Sequence, residues 1–266
     1  AISGSNIKTL SFNAGVTNLK VASQEYEVNS TLGVLPTITR DGYLLSGWYN
    51  GSTKLESTTK ITDNIVATAK WVTPFANGTV IYYNPETNTK CTASQAVSTT
   101  GTKTGCMKWY AFNDEGNDTV NLLLDHKTTA KVAWVTKEEY IAAGGTEAEY
   151  GSDGNKSKGP ITALKQLKSD TKAWNSSLNA RLIEASEVAK ITNNTAWTAG
   201  DNSYYFHTNS NTEYKGAAGT NKYAWLFDNT YNCTTYGCNV ADSSNQGYWT
   251  NTAYSGNSIR AWSVNY

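Results

Sequence analysis

Residues 247–266 read GYWTNTAYSGNSIRAWSVNY, two aromatic-rich runs around a stretch of small polar residues. In IRAWSVNY, Trp262, Val264 and Tyr266 fall on one side of a period-two pattern; Ile259, Ala261, Ser263 and Asn265 fall on the other. A strand that buries the first face and leaves the second open is the expectation, with Trp249 and Trp262 as structural residues. Chain ends usually fray and carry little. A stripe of this bulk at the last positions therefore raises the question of what it packs against.

Upstream, from 193 onward, Asn, Thr, Gly and Tyr dominate, which reads as long loops stitched between short aromatic strands. Before them stand two helical stretches. GPITALKQLKSDTKAW (159–174) sets Ile161, Leu164, Leu167 and Trp174 near helical spacing, with Pro160 at an N-terminal position. EASEVAKIT (184–192) places Ala185, Val188 and Ala189 on one face, and Ser186 before Glu187 is one possible start. Earlier again, TVIYYNP (79–85), MKWYAFND (107–114), NLLLDH (121–126) and AKVAWV (130–135) alternate as strands. Strands, two helices, then strands and loops predict an α+β domain over 73–266. Residues 9–72 have a different texture: TLSF, KVAS, EYEV, GYLLSGWY, KITD and IVATAKWV read as short strands separated by turn formers. In GYLLSGWY the bulky Tyr43, Leu45 and Trp48 do not alternate cleanly, which predicts a bulge at Gly47. Residues 1–72 are accordingly expected to form a separate small β module.

Composition bounds what these units do. The 266 residues carry a net charge of zero and only 17% charged residues, so no basic footprint for nucleic acid exists. No run of 18 apolar residues is present, and membrane insertion is not expected. Four cysteines form two local pairs, Cys91 with Cys106 and Cys233 with Cys238, a count and spacing that fit an oxidising exterior. A 91–106 bridge would close a short loop and contribute about 3 kcal/mol. The alternative is four free thiols packed as small apolar residues. Neither spacing is that of a zinc site, and only His126 and His207 could join one, so no metal is expected.

Two family resemblances rest on quoted residues. LGVLPTITRDGYLLSGWYNGSTKL (32–55), followed by ATAKWV (67–72), resembles the Listeria–Bacteroides repeat of bacterial surface proteins, with its Leu-Pro, Arg-x-Gly-Tyr, Gly-Trp-Tyr and Ala-x-Trp signature. That resemblance implies a small β-grasp-like module serving as spacer or stalk. LLLDHKTTAKVAWV (122–135), ARLIEASEV (180–188) and the closing GYWTNTAYSGNSIRAWSVNY resemble three segments of the C-type-lectin-like fold. Ile183-Glu184-Ala185 departs from the Pro-Thr usual in bacterial relatives. In that fold the terminal strand returns to the domain's own sheet, which would anchor the end of the chain. Residues 73–266 would then be a C-type-lectin-like domain with two helices and antiparallel strands.

Chemistry is sparse. His126 in LDHKT and His207 in YFHTN lie in no nucleophile elbow, and a lone histidine of this kind is usually structural. NPETN (84–88) and FNDEGND (112–118) supply oxygen atoms at turn-like spacing, as Asx-rich turns do without any metal. The sugar-binding calcium motifs of lectins are missing. Formylglycine-generating enzymes share the lectin-like architecture and use a cysteine pair, for which Cys233 and Cys238 are suitably placed, yet nothing else of that active site can be located. Catalytic residues and cofactors are therefore not expected. Recognition remains. Tyr231, Asn232, Tyr236, Asn239, Asn245, Tyr248, Asn251, Tyr254, Asn257 and Arg260 make the palette of binding surfaces: large rigid area from Tyr, adaptable hydrogen bonds from Asn, a planar fork from Arg. The stretch also resembles the C-terminal region of variable proteins of diversity-generating retroelements. Together these predict non-catalytic binding of a protein or glycan by an extracellular bacterial or phage surface protein, an adhesin in type. The alternative is a structural domain capping a stalk.

Overall fold

In Ile7–Asn13 (β1), Leu10 and Phe12 point one way and Ser11 and Asn13 the other, and the strand buries the first pair. Gln24–Glu27 (β2) lies antiparallel to β1 on one side, and Ile65–Val72 (β5) lies parallel to it on the other. Leu44–Asn50 (β3) pairs antiparallel with β5 and turns into Thr53–Lys54 (β4). The sheet order is β2-β1-β5-β3-β4. The computed structural model describes residues 6–97, 101–116, 119–128, 132–150, 155–193, 197–200, 223–227, 247–253 and 261–265.

The core of this sheet is set by a large residue facing small ones. Trp48 is 2% exposed and sits directly opposite Ala69, and Phe12 meets its ring edge-on at 4.8 Å. Its indole Nε1 donates to Pro36 O at 2.7 Å, so the buried N–H is satisfied. Leu10, Leu32, Leu55, Ile61 and Ala67 complete the cluster. The β3–β5 register shifts between Leu45 and Gly47, where Gly47 takes φ 150°, the bulge that the broken alternation predicts. Two expected strands do not form. Residues 20–23 are irregular, and Thr31–Lys60 is an isolated bridge, although Asn29 N donates to Ile61 O and Ile61 N to Ser30 O. Ile61 is buried by these local bonds without entering the sheet.

The chain forms two compact units: Ala1–Phe75 with Asp114–Val120, and Ala76–Asn113 with Asn121–Tyr266. Gly116 illustrates why the short return belongs to the first. Its φ is +69°, and a Cβ there would lie 2.4 Å from Leu44 Cβ and 3.1 Å from Val72 Cγ2.

In the second unit, Thr79–Asn84 (β6), Thr89–Lys90 (β7), Met107–Phe112 (β8) and Asn121–Leu124 (β9) make an antiparallel sheet in the order β7-β6-β8-β9. Gly247–Ala253 (β10) and Ala261–Asn265 (β11) form a separate antiparallel pair with a register shift between Trp249 and Ala253. Cys91 and Cys106 form a disulfide, with their Cα atoms 6.1 Å apart. Three α-helices occur among the described residues: Lys137–Ala142 (α1), Ile161–Asp170 (α2) and Ala185–Ile191 (α3). The second and third lie where the apolar spacing predicts them. Ala185, Val188 and Ala189 are all buried, whereas Leu164, expected on the inner face of α2, is 41% exposed. The first helix lacks such a stripe and starts at Thr136, whose Oγ1 accepts from Glu139 N at 3.3 Å. AKVAWV does not form the predicted strand over its described residues 132–135. Trp134 and Val135 are instead plugged into a cluster with Tyr140. The α+β class holds, and no helix among the described residues is long and apolar enough to cross a membrane.

Candidate functional site

The C-terminal hairpin frames the stretch that sequence reasoning singles out, and its described side chains pack on two separate clusters. Tyr248 and Val264 are cross-strand partners, and both pack on Phe112, Ile183, Val188, Ile191, Tyr223 and Leu226. Trp249, Ala253 and Ala261 pack on the opposite cluster around Trp134 and Tyr140. Two indoles tie that second face: Trp249 Nε1 donates to Val132 O at 2.7 Å, and Trp134 Nε1 donates to Thr250 O at 3.1 Å. Val264 is buried as expected, and Ala261, assigned to the open side, is half-buried against the Trp134 cluster; Ile259, Tyr266 and the side chains of Trp262, Ser263 and Asn265 lie outside the described residues.

The edge of β10 is fastened to the start of α3 by a polar lattice. Asn251 N donates to Ile183 O at 2.9 Å, and Asn251 Nδ2 donates to Glu184 Oε1 at 2.6 Å. Thr252 Oγ1 donates to Glu184 Oε2 at 2.6 Å and accepts from Ala185 N at 2.9 Å. Helix starts leave backbone N–H groups without intrahelical partners; here the hairpin satisfies one of them. The N-cap of α3 is Glu184, two residues before Ser186, and Glu187 reaches back to accept from Glu184 N at 2.9 Å. Arg181 forks onto both Glu187 oxygens at 2.7 and 2.6 Å and donates to Asn121 Oδ1 at 3.0 Å. Burial pushes the Glu187 carboxyl up, but the Arg181 fork and the Glu184 N–H outweigh it and hold its pKa below the usual range.

Of the candidate recognition residues, the described ones are Tyr248 and Asn251. Tyr248 is half-buried and its hydroxyl donates to Leu226 O at 3.1 Å, so its side chain is committed to the core instead of facing outward. Asn251 is exposed, with its amide turned to Glu184. Tyr231, Asn232, Tyr236, Asn239, Asn245, Tyr254, Asn257 and Arg260 lie outside the described residues, as do Cys233, Cys238, His207 and Tyr266. The Trp262 side chain also lies outside them. Glu184 and Thr252 were not singled out in the sequence. A carboxylate one residue before an apolar helical run was the available signal, and its partner lies 68 positions away.

Elsewhere in the unit, the buried His126 and Asp170 are tied up by the protein. His126 is 1% exposed; Nε2 lies 3.2 Å from Thr102 O and Nδ1 2.5 Å from Asp125 Oδ1. A carbonyl oxygen only accepts, so Nε2 donates there, and neither ring nitrogen is open to a substrate. Asp170, 4% exposed, accepts from Lys103 Nζ at 2.6 Å, Thr128 Oγ1 at 2.6 Å and Gln166 Nε2 at 3.0 Å. Burial raises its pKa, and these three donors together more than reverse the effect, leaving it below the ordinary value. Among the described residues no group of three or more His, Cys, Asp or Glu side chains converges as a metal site. No protein-family profile matches the chain, and no curated protein or solved structure is significantly similar to it.

Proposed function

We propose that this chain is part of an extracellular bacterial or phage surface protein whose second unit binds a protein or glycan ligand without catalysis. The stretch 228–260 would provide the binding surface, through Tyr231, Asn232, Tyr236, Asn239, Asn245, Tyr254, Asn257 and Arg260, with Asn251 at its margin. The observation that carries this reading is the hairpin packed on two clusters and fastened along one edge to the start of α3. A frame this constrained holds the ends of a connecting segment at fixed points, and pre-organised ends lower the ordering cost of a binding loop. The Cys91–Cys106 disulfide supports an oxidising compartment. A parallel β1–β5 pair flanked by antiparallel strands is in keeping with a β-grasp-like spacer, although its β2–β3 connection contains no α-helix. Sheet, helices and a returning C-terminal hairpin are likewise in keeping with a C-type-lectin-like domain, and the Asn- and Tyr-rich stretch with diversification by a retroelement.

Binding of the full chain to a glycan array and to intact bacterial cells, read by flow cytometry, tests the reading. The parent should bind at least one target, and a Tyr236→Ala, Tyr254→Ala, Arg260→Ala variant with unchanged melting temperature should lose it. Equal binding by parent and variant would remove this stretch as the surface. A neighbouring reverse-transcriptase gene with a near-copy of the 3′ coding end, differing at adenines, would establish diversification.

A further inference from the structure

A cleft of about 440 Å3 opens beside the C-terminal end of α2, and Lys168, Lys172, Trp174, Asn175, Ser176 and Leu178 line it. That volume lies in the range of small-molecule sites. Its floor is fixed: Trp174 Nε1 donates to Lys103 O at 2.7 Å, and Trp109 meets the indole edge-on at 5.5 Å. The ring is half-buried and, with Leu178, is an apolar part of the lining.

The polar groups around this floor are donors. Lys168 and Lys172 are exposed, the first in the last turn of α2 and the second just beyond its C-cap, and neither has an ion-pair partner among the described residues. Asn175 uses Oδ1 to accept from Ser177 N and Oγ, which leaves its Nδ2 without a partner among the described residues; Ser176 Oγ is in the same position. None of the lining residues is acidic. The half-charge at a helix C-terminus opposes an anion, but about half a unit of negative charge is outweighed by two full positive ones.

We propose that this cleft binds an anionic sugar. The flat apolar face of a pyranose lies on Trp174, Asn175 and Ser176 donate to ring hydroxyls, and Lys168 and Lys172 neutralise the carboxylate or phosphate. The site is separate from the C-terminal hairpin and does not depend on the reading of 228–260.

The test is a titration of the full chain, followed by tryptophan fluorescence and by chemical shifts, with trigalacturonate and with glucose 6-phosphate. Maltotriose, glucose and inorganic phosphate serve as comparison probes. One anionic sugar should bind with a Kd of about 1 mM or tighter, its neutral counterpart at least about tenfold more weakly, and binding should weaken as salt is raised. Saturation by trigalacturonate alone assigns a carboxylate, and by glucose 6-phosphate alone a phosphate. The Lys168→Gln, Lys172→Gln double variant alters only exposed side chains, so it should stay folded and lose at least about tenfold in affinity. No saturation by either anionic sugar at about 10 mM would overturn the proposal. So would equal binding of the neutral sugars, inorganic phosphate binding as tightly as the sugar phosphate, or unchanged affinity in the double variant.

Discussion

Tyr248 is the residue at which pattern and packing diverge most. From spacing it belongs to the open side of a hairpin, where Tyr→Ala would cost roughly 1 kcal/mol or less. Packed beside Val264 against the α3 cluster, with its hydroxyl bonded to Leu226 O, it is part of the core. Tyr248→Ala should therefore cost about 2–3 kcal/mol, the range for removing a buried large side chain, measured by equilibrium denaturation. A cost under about 0.5 kcal/mol would mean that this face of the hairpin is not packed. Gly145 raises the converse case. A Cβ there would stand 2.1 Å from Cε1 of Tyr140, which is fully buried, and Gly145 N also donates to Tyr140 O at 3.0 Å. Gly145→Ala must displace that ring, so a loss of about 1–3 kcal/mol is expected, while Ala at the uncrowded Gly144 tests backbone strain alone.

At the scale of elements, the junction between α3 and β10 depends on one carboxylate. Glu184→Ala removes the acceptor for Asn251 Nδ2 and Thr252 Oγ1 together, and hydrogen bonds to charged groups contribute about 1.5–3 kcal/mol. A loss of about 2 kcal/mol is expected. In a double-mutant cycle, Asn251→Ala should cost clearly less in the Glu184→Ala background than alone; full additivity would show that the two side chains are not coupled. The end of α2 carries a pH signature. Asp170 titrates below its unfolded value, so its contribution is complete above the ordinary carboxylate range and is lost as pH falls from about 4 through the lower folded value. Asp170→Asn should flatten the acid limb of stability against pH. An unchanged acid limb would mean that the Lys103–Asp170 pair contributes no linkage.

At the scale of the whole chain, the return of Asp114–Val120 to the first unit makes a specific prediction about fragments. A 76–266 fragment should fold, because the clusters around α3 and around Trp134 draw only on its own residues. A 1–75 fragment keeps the Trp48 cluster but loses the cover that Gly116 gives Leu44 and Val72. It should melt below the corresponding transition of the full chain in scanning calorimetry. Equal melting temperatures would show that the returning segment adds nothing to the first unit.

The residues that were legible in sequence are those whose signal is local. Short runs bounded by turn formers marked β1, β3 and β5, alternation marked β6 and β8, the disturbed spacing at Gly47 marked a bulge, and Pro160 with an apolar run marked α2. A helix of six residues with no apolar stripe escaped, though its N-cap Thr136 was in view. What spacing could not supply was the identity of the partner. Trp134 and Val135 have the alternation of a strand, but the surfaces that bury them come from α1 and from a hairpin over a hundred positions later. Trp249 finds its acceptor 117 positions upstream. Periodicity reports that a side chain is to be buried; only the folded chain decides against what, because contacts between distant segments leave no periodic trace in either one. The α+β class was therefore set by the sequence itself, whereas the two clusters that hold the hairpin and the Glu184 anchor were decided by tertiary packing.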